Sequence, residues 1–207
     1  MLITKKLWKK NFQLALLSLN SKFVQGIKTG KLPKYIFQEY VAQDYFFLEI
    51  FAKAYSLAVS KSKDKYQKKI LSQLLNGVSN ELILHETYAK EWEIDLSKNY
   101  IKPATLNYTN FLYEVSKKGS TVEIMFAMTP CMRLYSWIGK TLLSTTFSNI
   151  YKEWILTYSD YKFEKLVKSL EDLIDNCEDL YDIDYANYLY KSAMELELAF
   201  FNAYSEF

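Results

Sequence analysis

The sequence predicts an all-α protein. Its 207 residues include only five glycines and three prolines, too few to turn the many short strands of a sandwich or barrel. Lys, Glu, Leu and Ala instead fill long stretches without turn signals, and within them apolar residues recur at steps of three and four. Half of the side chains are apolar, enough for one substantial core, and no shift in composition marks a linker, so residues 1–207 read as a single domain.

Taken in order, a first helix is expected over residues 4–17 and a short one around "SKFVQGI". "TGKLP" closes it, with Gly30 as the C-cap signal and Pro33 opening the next helix. Helical periodicity then runs over 33–60 and again over 64–94, two long helices expected to pair antiparallel. Residues 95–107, with Pro103, read as a loop; a helix over 108–117 stops at Gly119. The next spans 120–145. Pro130 lies inside it and either kinks it or begins a new helix, with Thr129 as N-cap. Three more follow over 149–158, 161–177 and 184–205.

Charge excludes some partners. The 26 basic and 24 acidic side chains are interspersed, so no one-sided field is available for nucleic acid. The clusters "KKLWKK" and "KSKDKYQKK" carry apolar residues at helical spacing and read as solvated helix faces. The N-terminal stretch lacks the apolar core and cleavage site of a signal peptide, and no later run reaches the ~18 apolar residues of a membrane span. A cytoplasmic protein is expected, without a membrane partner, and there Cys131 and Cys177 are expected to remain thiols.

Two carboxylates break apolar stripes. Asp44 lies in the stripe Phe37, Val41, Phe47, Leu48, Phe51, and Glu197 lies in the stripe Tyr190, Ala193, Met194, Phe200, Phe201, Tyr204, whereas Glu195 points elsewhere. A buried carboxylate needs a partner, so either each is satisfied by core hydroxyls or a Lys, or the two mark a polar cavity. Cys131 is either a packed core thiol or a nucleophile; if a helix starts at Pro130, the thiol sits in the first turn, where the dipole stabilises a thiolate. His85 is the only histidine. This leaves no pair of Glu-x-x-His motifs for a di-iron site, and neither a metal nor another cofactor is expected. Glu81, one turn before His85, reads as its structural hydrogen-bond partner.

The segments "FVQGIKTGKLPKYIFQEYVAQDYFFLEIFAKA", "NELILHETYAKEW", "LNYTNFLYEV", "MTPCMRLYSWIGKTL", "NIYKEWILTYSDYKF" and "ELAFFNAY" resemble, in order and spacing, the TenA family of thiaminase II or aminopyrimidine aminohydrolases. The resemblance covers nearly the entire chain. It implies a haem-oxygenase-like helical bundle without haem, usually a homotetramer. It also implies hydrolysis of 4-amino-5-aminomethyl-2-methylpyrimidine to the hydroxymethyl pyrimidine and ammonia in thiamin salvage, and in many members cleavage of thiamin itself.

By the same resemblance, Cys131 in "TPC" is the thiol that adds to the pyrimidine, Asp44 in "QDY" binds the ring nitrogen and exocyclic amine, and Glu197 in "ELAFF" is the acid/base carboxylate. Tyr108, Tyr135 and Tyr158 match the pocket tyrosines. The chain departs from the family pattern at Phe47, where Tyr is common, and at Phe200-Phe201, where a Phe-Trp pair is usual. A non-catalytic pyrimidine-binding or regulatory protein is the alternative; a haem or iron oxygenase on the same fold is disfavoured by a single histidine far from the first helix.

Overall fold

In the computed structural model of the chain, residues 1–94, 96, 100–145, 150–177 and 181–206 are described. They are all-α: nine α-helices and one short 3₁₀ turn, with no strand among the described residues. The chain divides into two compact units, residues 34–125 and residues 1–33 with 126–207.

The unit of residues 34–125 is built on two long helices, α3 (Lys34–Lys61) and α4 (Lys65–Glu91). Their cross-ties run in opposite senses along the chain: Gln38 donates to the carbonyl of Trp92, and His85 meets Asp44. They are therefore antiparallel, as the periodicity predicts. The whole stripe Phe37, Val41, Asp44, Phe47, Leu48 and Phe51 is buried. Asp64 starts α4 by accepting from the Gln67 amide, one of the donors that the first turn of a helix leaves without an intrahelical partner.

Helix α5 (Pro103–Lys118) corrects the sequence reading. Pro103 belongs to the first turn of α5, where a fixed φ and a missing N–H cost nothing; the expected loop over 95–107 is shortened accordingly, and its residues 95 and 97–99 lie outside the described set. At the far end of α5 the Lys61 ammonium donates to three carbonyls, those of Ser116, Lys117 and Gly119, at 2.8, 2.9 and 2.6 Å. A cation there satisfies acceptors that the helix end leaves open and opposes the negative end of its dipole.

The other unit holds α1 (Ile3–Leu19), α2 (Lys22–Thr29), the greater part of α6 (Thr121–Leu142), α7 (Lys152–Ser159), α8 (Tyr161–Asp175) and α9 (Ile183–Asn202). Gly30 caps α2 at φ 68°, as its position predicts. Thr4 at the start of α1 binds the Asp175 carboxylate at the end of α8 through both its amide and its hydroxyl. A capping box of Ser120 and Glu123 begins α6.

Pro130 does not begin a helix. Helix α6 continues through it, so Cys131 stands in the helix interior and not in a first turn, and the reading in which a helix N-terminus stabilises its thiolate is overturned. Thr129 and Pro130 are both buried within this helix, which forgoes one backbone bond at the proline. The expected helix starts and ends within 146–149 and 178–180 lie outside the described residues.

Lys61→Met keeps the aliphatic stem and removes three charge-assisted hydrogen bonds. It should lower stability by roughly 2 kcal/mol, read as a lower urea midpoint with an unchanged slope.

Candidate functional site

Asp44 and His85 are both buried, and Asp44 Oδ2 lies 2.8 Å from His85 Nε2. The other ring nitrogen, Nδ1, lies 3.0 Å from the Glu81 carbonyl oxygen. The sequence reading assigned Glu81 as the partner; the structure gives that bond to its main chain and brings in Asp44 from 41 residues away. Burial favours the neutral imidazole, but the hydrogen bond and charge of Asp44, joined by the charge and carbonyl of Glu81, outweigh it and raise the His85 pKa from 6.5 to about 9. His85 is thus an imidazolium at neutral pH, paired with a carboxylate.

One turn beyond Asp44, the Phe47 ring stands 4.7 Å from that of Tyr108 on α5, and 5.3 Å from that of Phe51. The start of α5 is held by α3. Gln43, itself buried, donates to the Tyr100 carbonyl and accepts from the Lys102 amide and the Thr105 hydroxyl, while Glu39 pairs with Lys102 at 3.0 Å. Neighbouring residues of α3 therefore place an acceptor, Asp44, and an aromatic pair, Phe47 with Tyr108, in one unit. Gln43 and His85 are the residues that sequence reasoning missed as organisers; the only signal was a polar residue in an apolar stripe facing an antiparallel helix.

In the other unit, Tyr135 is the hub of a ring cluster. Its centroid lies 4.7 Å from Tyr158, 5.8 Å from Trp154 and 5.5 Å from Phe201. Gly139, one turn along α6, makes this possible: a Cβ there would lie 2.6 Å from the carbonyl carbon of Tyr158 and 2.7 Å from the Ser159 nitrogen. Cys131 is half-buried, and both cysteines are thiols. Glu197 is only 1% exposed on α9, and Phe200 beside it packs edge-on to Tyr204 at 5.6 Å. Glu195 is exposed and pairs with Lys191, as the stripe predicts.

The opposite side of α6 is polar. Arg133 makes a bidentate pair with Glu171 and reaches Glu164 at 3.3 Å; Ser136 and Lys140 also bind Glu164. Residues 133, 136 and 140 share one face, about 150° from Cys131 and Tyr135 by helical periodicity, so this clamp onto α8 sets the roll of the helix that carries the thiol.

Residues 13–206 match the model of the TENA/THI-4/PQQC family. The chain belongs to that family. Among relatives, the mitochondrial bifunctional TH2 protein of Arabidopsis thaliana is 34% identical over 96% of this chain, which spans only 36% of that longer protein. The aminopyrimidine aminohydrolase of Halalkalibacterium halodurans is 34% identical over 75% of this chain and 73% of its own length.

The fold is the family's as well. A TenA family transcription regulator from Silicibacter sp. TM1040 superimposes with a TM-score of 0.91 at 26% identity, covering 98% of this chain and 96% of the other. Haem oxygenase-1 of Synechocystis sp. PCC6803 gives 0.66 at 14% identity over 98% and 92%, which places the chain in the haem-oxygenase-like fold. No helix among the described residues is long and apolar enough to cross a membrane.

The raised pKa of His85 makes stability depend on pH. The contribution is fully present below the unfolded value of 6.5 and is lost as pH rises through about 9. The native chain should lose stability between pH 6.5 and 10 relative to His85→Gln, whose curve should be flatter over that window in paired urea titrations.

Proposed function

We propose that this chain is an aminopyrimidine aminohydrolase of the thiaminase II type, converting 4-amino-5-aminomethyl-2-methylpyrimidine to the hydroxymethyl pyrimidine and ammonia, with thiamin as a second substrate. The observation that carries this reading is the buried Asp44 carboxylate, fixed by His85, one turn from the packed rings of Phe47 and Tyr108. A flat heterocycle with an amino edge calls for a fixed acceptor and an aromatic wall. The names of the relatives from Halalkalibacterium halodurans and Bacillus subtilis, the latter 32% identical over 74% of this chain, support the same reaction class.

In this reading residues 1–207 work as one TenA-like domain, which the uninterrupted match over 13–206 supports. The proposed working form is a cytoplasmic homotetramer without a cofactor; exposed apolar residues such as Leu106, Tyr113, Ile183 and Tyr188 are consistent with further association.

The resemblance to the family gives each residue its proposed step. Inside α6, Cys131 gains nothing from a helix N-terminus, so its thiol needs a base. Glu197 takes that proton as sulfur bonds to the ring carbon next to the one bearing the aminomethyl group, and delivers it to a ring nitrogen. The dearomatised ring then expels the amine, which leaves as ammonia after protonation. Water adds to the exocyclic methylene, the carbon–sulfur bond breaks, and the thiol and the aromatic ring are restored. Asp44 holds the ring nitrogen and exocyclic amine throughout, and Tyr108, Tyr135, Tyr158, Phe47 and Phe200 line the substrate. At Phe47 the ring can stack but cannot donate a hydrogen bond.

A second reading, a non-catalytic pyrimidine-binding or regulatory protein, is favoured only by the name of the Silicibacter structure. Turnover separates the two. Incubation of purified protein with the aminomethyl pyrimidine should release ammonia and the hydroxymethyl product; binding without release would establish the second reading.

Cys131→Ser should abolish ammonia release while leaving pyrimidine binding measurable by calorimetry, and Cys177→Ser should retain turnover. Equal turnover in both variants would remove Cys131 from the mechanism.

The two carboxylates should differ in kind. Glu197→Gln cannot carry a proton and should lower kcat by about 10²–10⁴ with product binding preserved. Asp44→Asn should weaken product binding and lower kcat/KM together. The opposite pattern would exchange their roles.

A further inference from the structure

His85 faces acceptors on both ring nitrogens: the Glu81 carbonyl oxygen at 3.0 Å from Nδ1 and the Asp44 carboxylate at 2.8 Å from Nε2. A neutral imidazole has one N–H and can satisfy only one of them, unless Asp44 carries the second proton. Among the described residues, the charged groups that act on the ring include Asp44 from α3 and Glu81 from its own helix, both acidic, which favours the imidazolium. Within this unit, α5 also packs on α3, and brings Tyr108 against Phe47 one turn from Asp44. Only Oδ2 of Asp44 is engaged by a described side chain.

We infer that His85 is a positioning and specificity-determining residue, an imidazolium that fixes Asp44 as an acceptor-only carboxylate and so makes the site select 4-aminopyrimidines against 4-oxopyrimidines. This rests on the proposed role of Asp44 in binding the ring edge. A 4-amino edge with a protonated ring nitrogen offers two donors, and a carboxylate accepts both. A 4-oxo edge offers one donor beside a carbonyl oxygen, which an ionised carboxylate repels.

The protonated acid has no such preference, because it can donate to a carbonyl or to a bare ring nitrogen while its other oxygen accepts. Burial pushes a lone carboxylate towards that ambivalent form. His85 opposes the shift with a charge and a directed bond, so it governs selectivity without touching substrate.

Two measurements test this on the full chain. Because His85 is the only histidine, the ring signals in a long-range ¹H–¹⁵N spectrum belong to it alone. Both nitrogens should read as protonated from pH 6 until about pH 9, and a neutral ring at pH 7 would overturn the inference. By calorimetry the native chain should bind the 4-amino hydroxymethyl pyrimidine about 10–100-fold more tightly than its 4-oxo counterpart. His85→Gln, which keeps a donor but no charge, should cut that preference about tenfold or more.

An unchanged preference in a natively helical His85→Gln, with a charged ring in the parent, overturns the inference and leaves the hydrolase reading standing. Binding of neither pyrimidine by the native chain overturns the functional reading itself, and the selectivity with it.

Discussion

A carboxylate and an imidazolium, sealed together between two long helices, set the terms for the unit of residues 34–125. Removing either member would leave the other's buried charge without its counter-charge, at a cost of several kcal/mol, whereas the pair holds together on a stripe that also buries Phe37, Val41, Phe47 and Leu48. The bond also fixes register. Asp44 can meet His85 only when α3 and α4 lie antiparallel with one offset, and that offset places Gln43 where it can hold the start of α5. Residues 43, 44 and 47, within one turn and a half, thereby join backbone anchoring, charge and ring stacking.

The unit of residues 1–33 and 126–207 solves a similar problem by dividing a helix between two kinds of chemistry. The clamp of Arg133, Ser136 and Lys140 onto Glu164 and Glu171 is polar and directional; the side with Cys131 and Tyr135 is aromatic and closely packed. Glu164 is stabilised in its charged form despite burial, because Ser136, Lys140 and Arg133 all favour it. A helix held in this way cannot roll to bury its thiol more deeply without breaking several charged contacts at once.

Much of this was legible from periodicity. The stripes containing Asp44 and Glu197 are buried as read, and Gly30 caps α2 as read, because these follow from local geometry alone. The pairing of Asp44 with His85 was not legible, since it depends on the register of two helices across 41 residues, whereas Glu81, one turn from His85 and read as its partner, bonds it through the main-chain carbonyl. The prolines misled for a related reason, Pro103 being read as a loop residue and Pro130 as either a kink or a helix start: a missing N–H is harmless in a first turn and tolerable inside a buried helix, and only packing decides which applies. Pro103 took the first course and Pro130 the second.

Pro130 has one further effect, on how the helix opens. With no amide proton at 130, the carbonyl of Phe126 has lost its usual helical donor, so the hydrogen-bond ladder of α6 carries a gap one residue before the thiol. In hydrogen-exchange experiments such a gap tends to part a long helix into segments that open separately. The amides after Cys131, backed by the Arg133 clamp, would then exchange as one slow block, distinct from those of the turns that precede it.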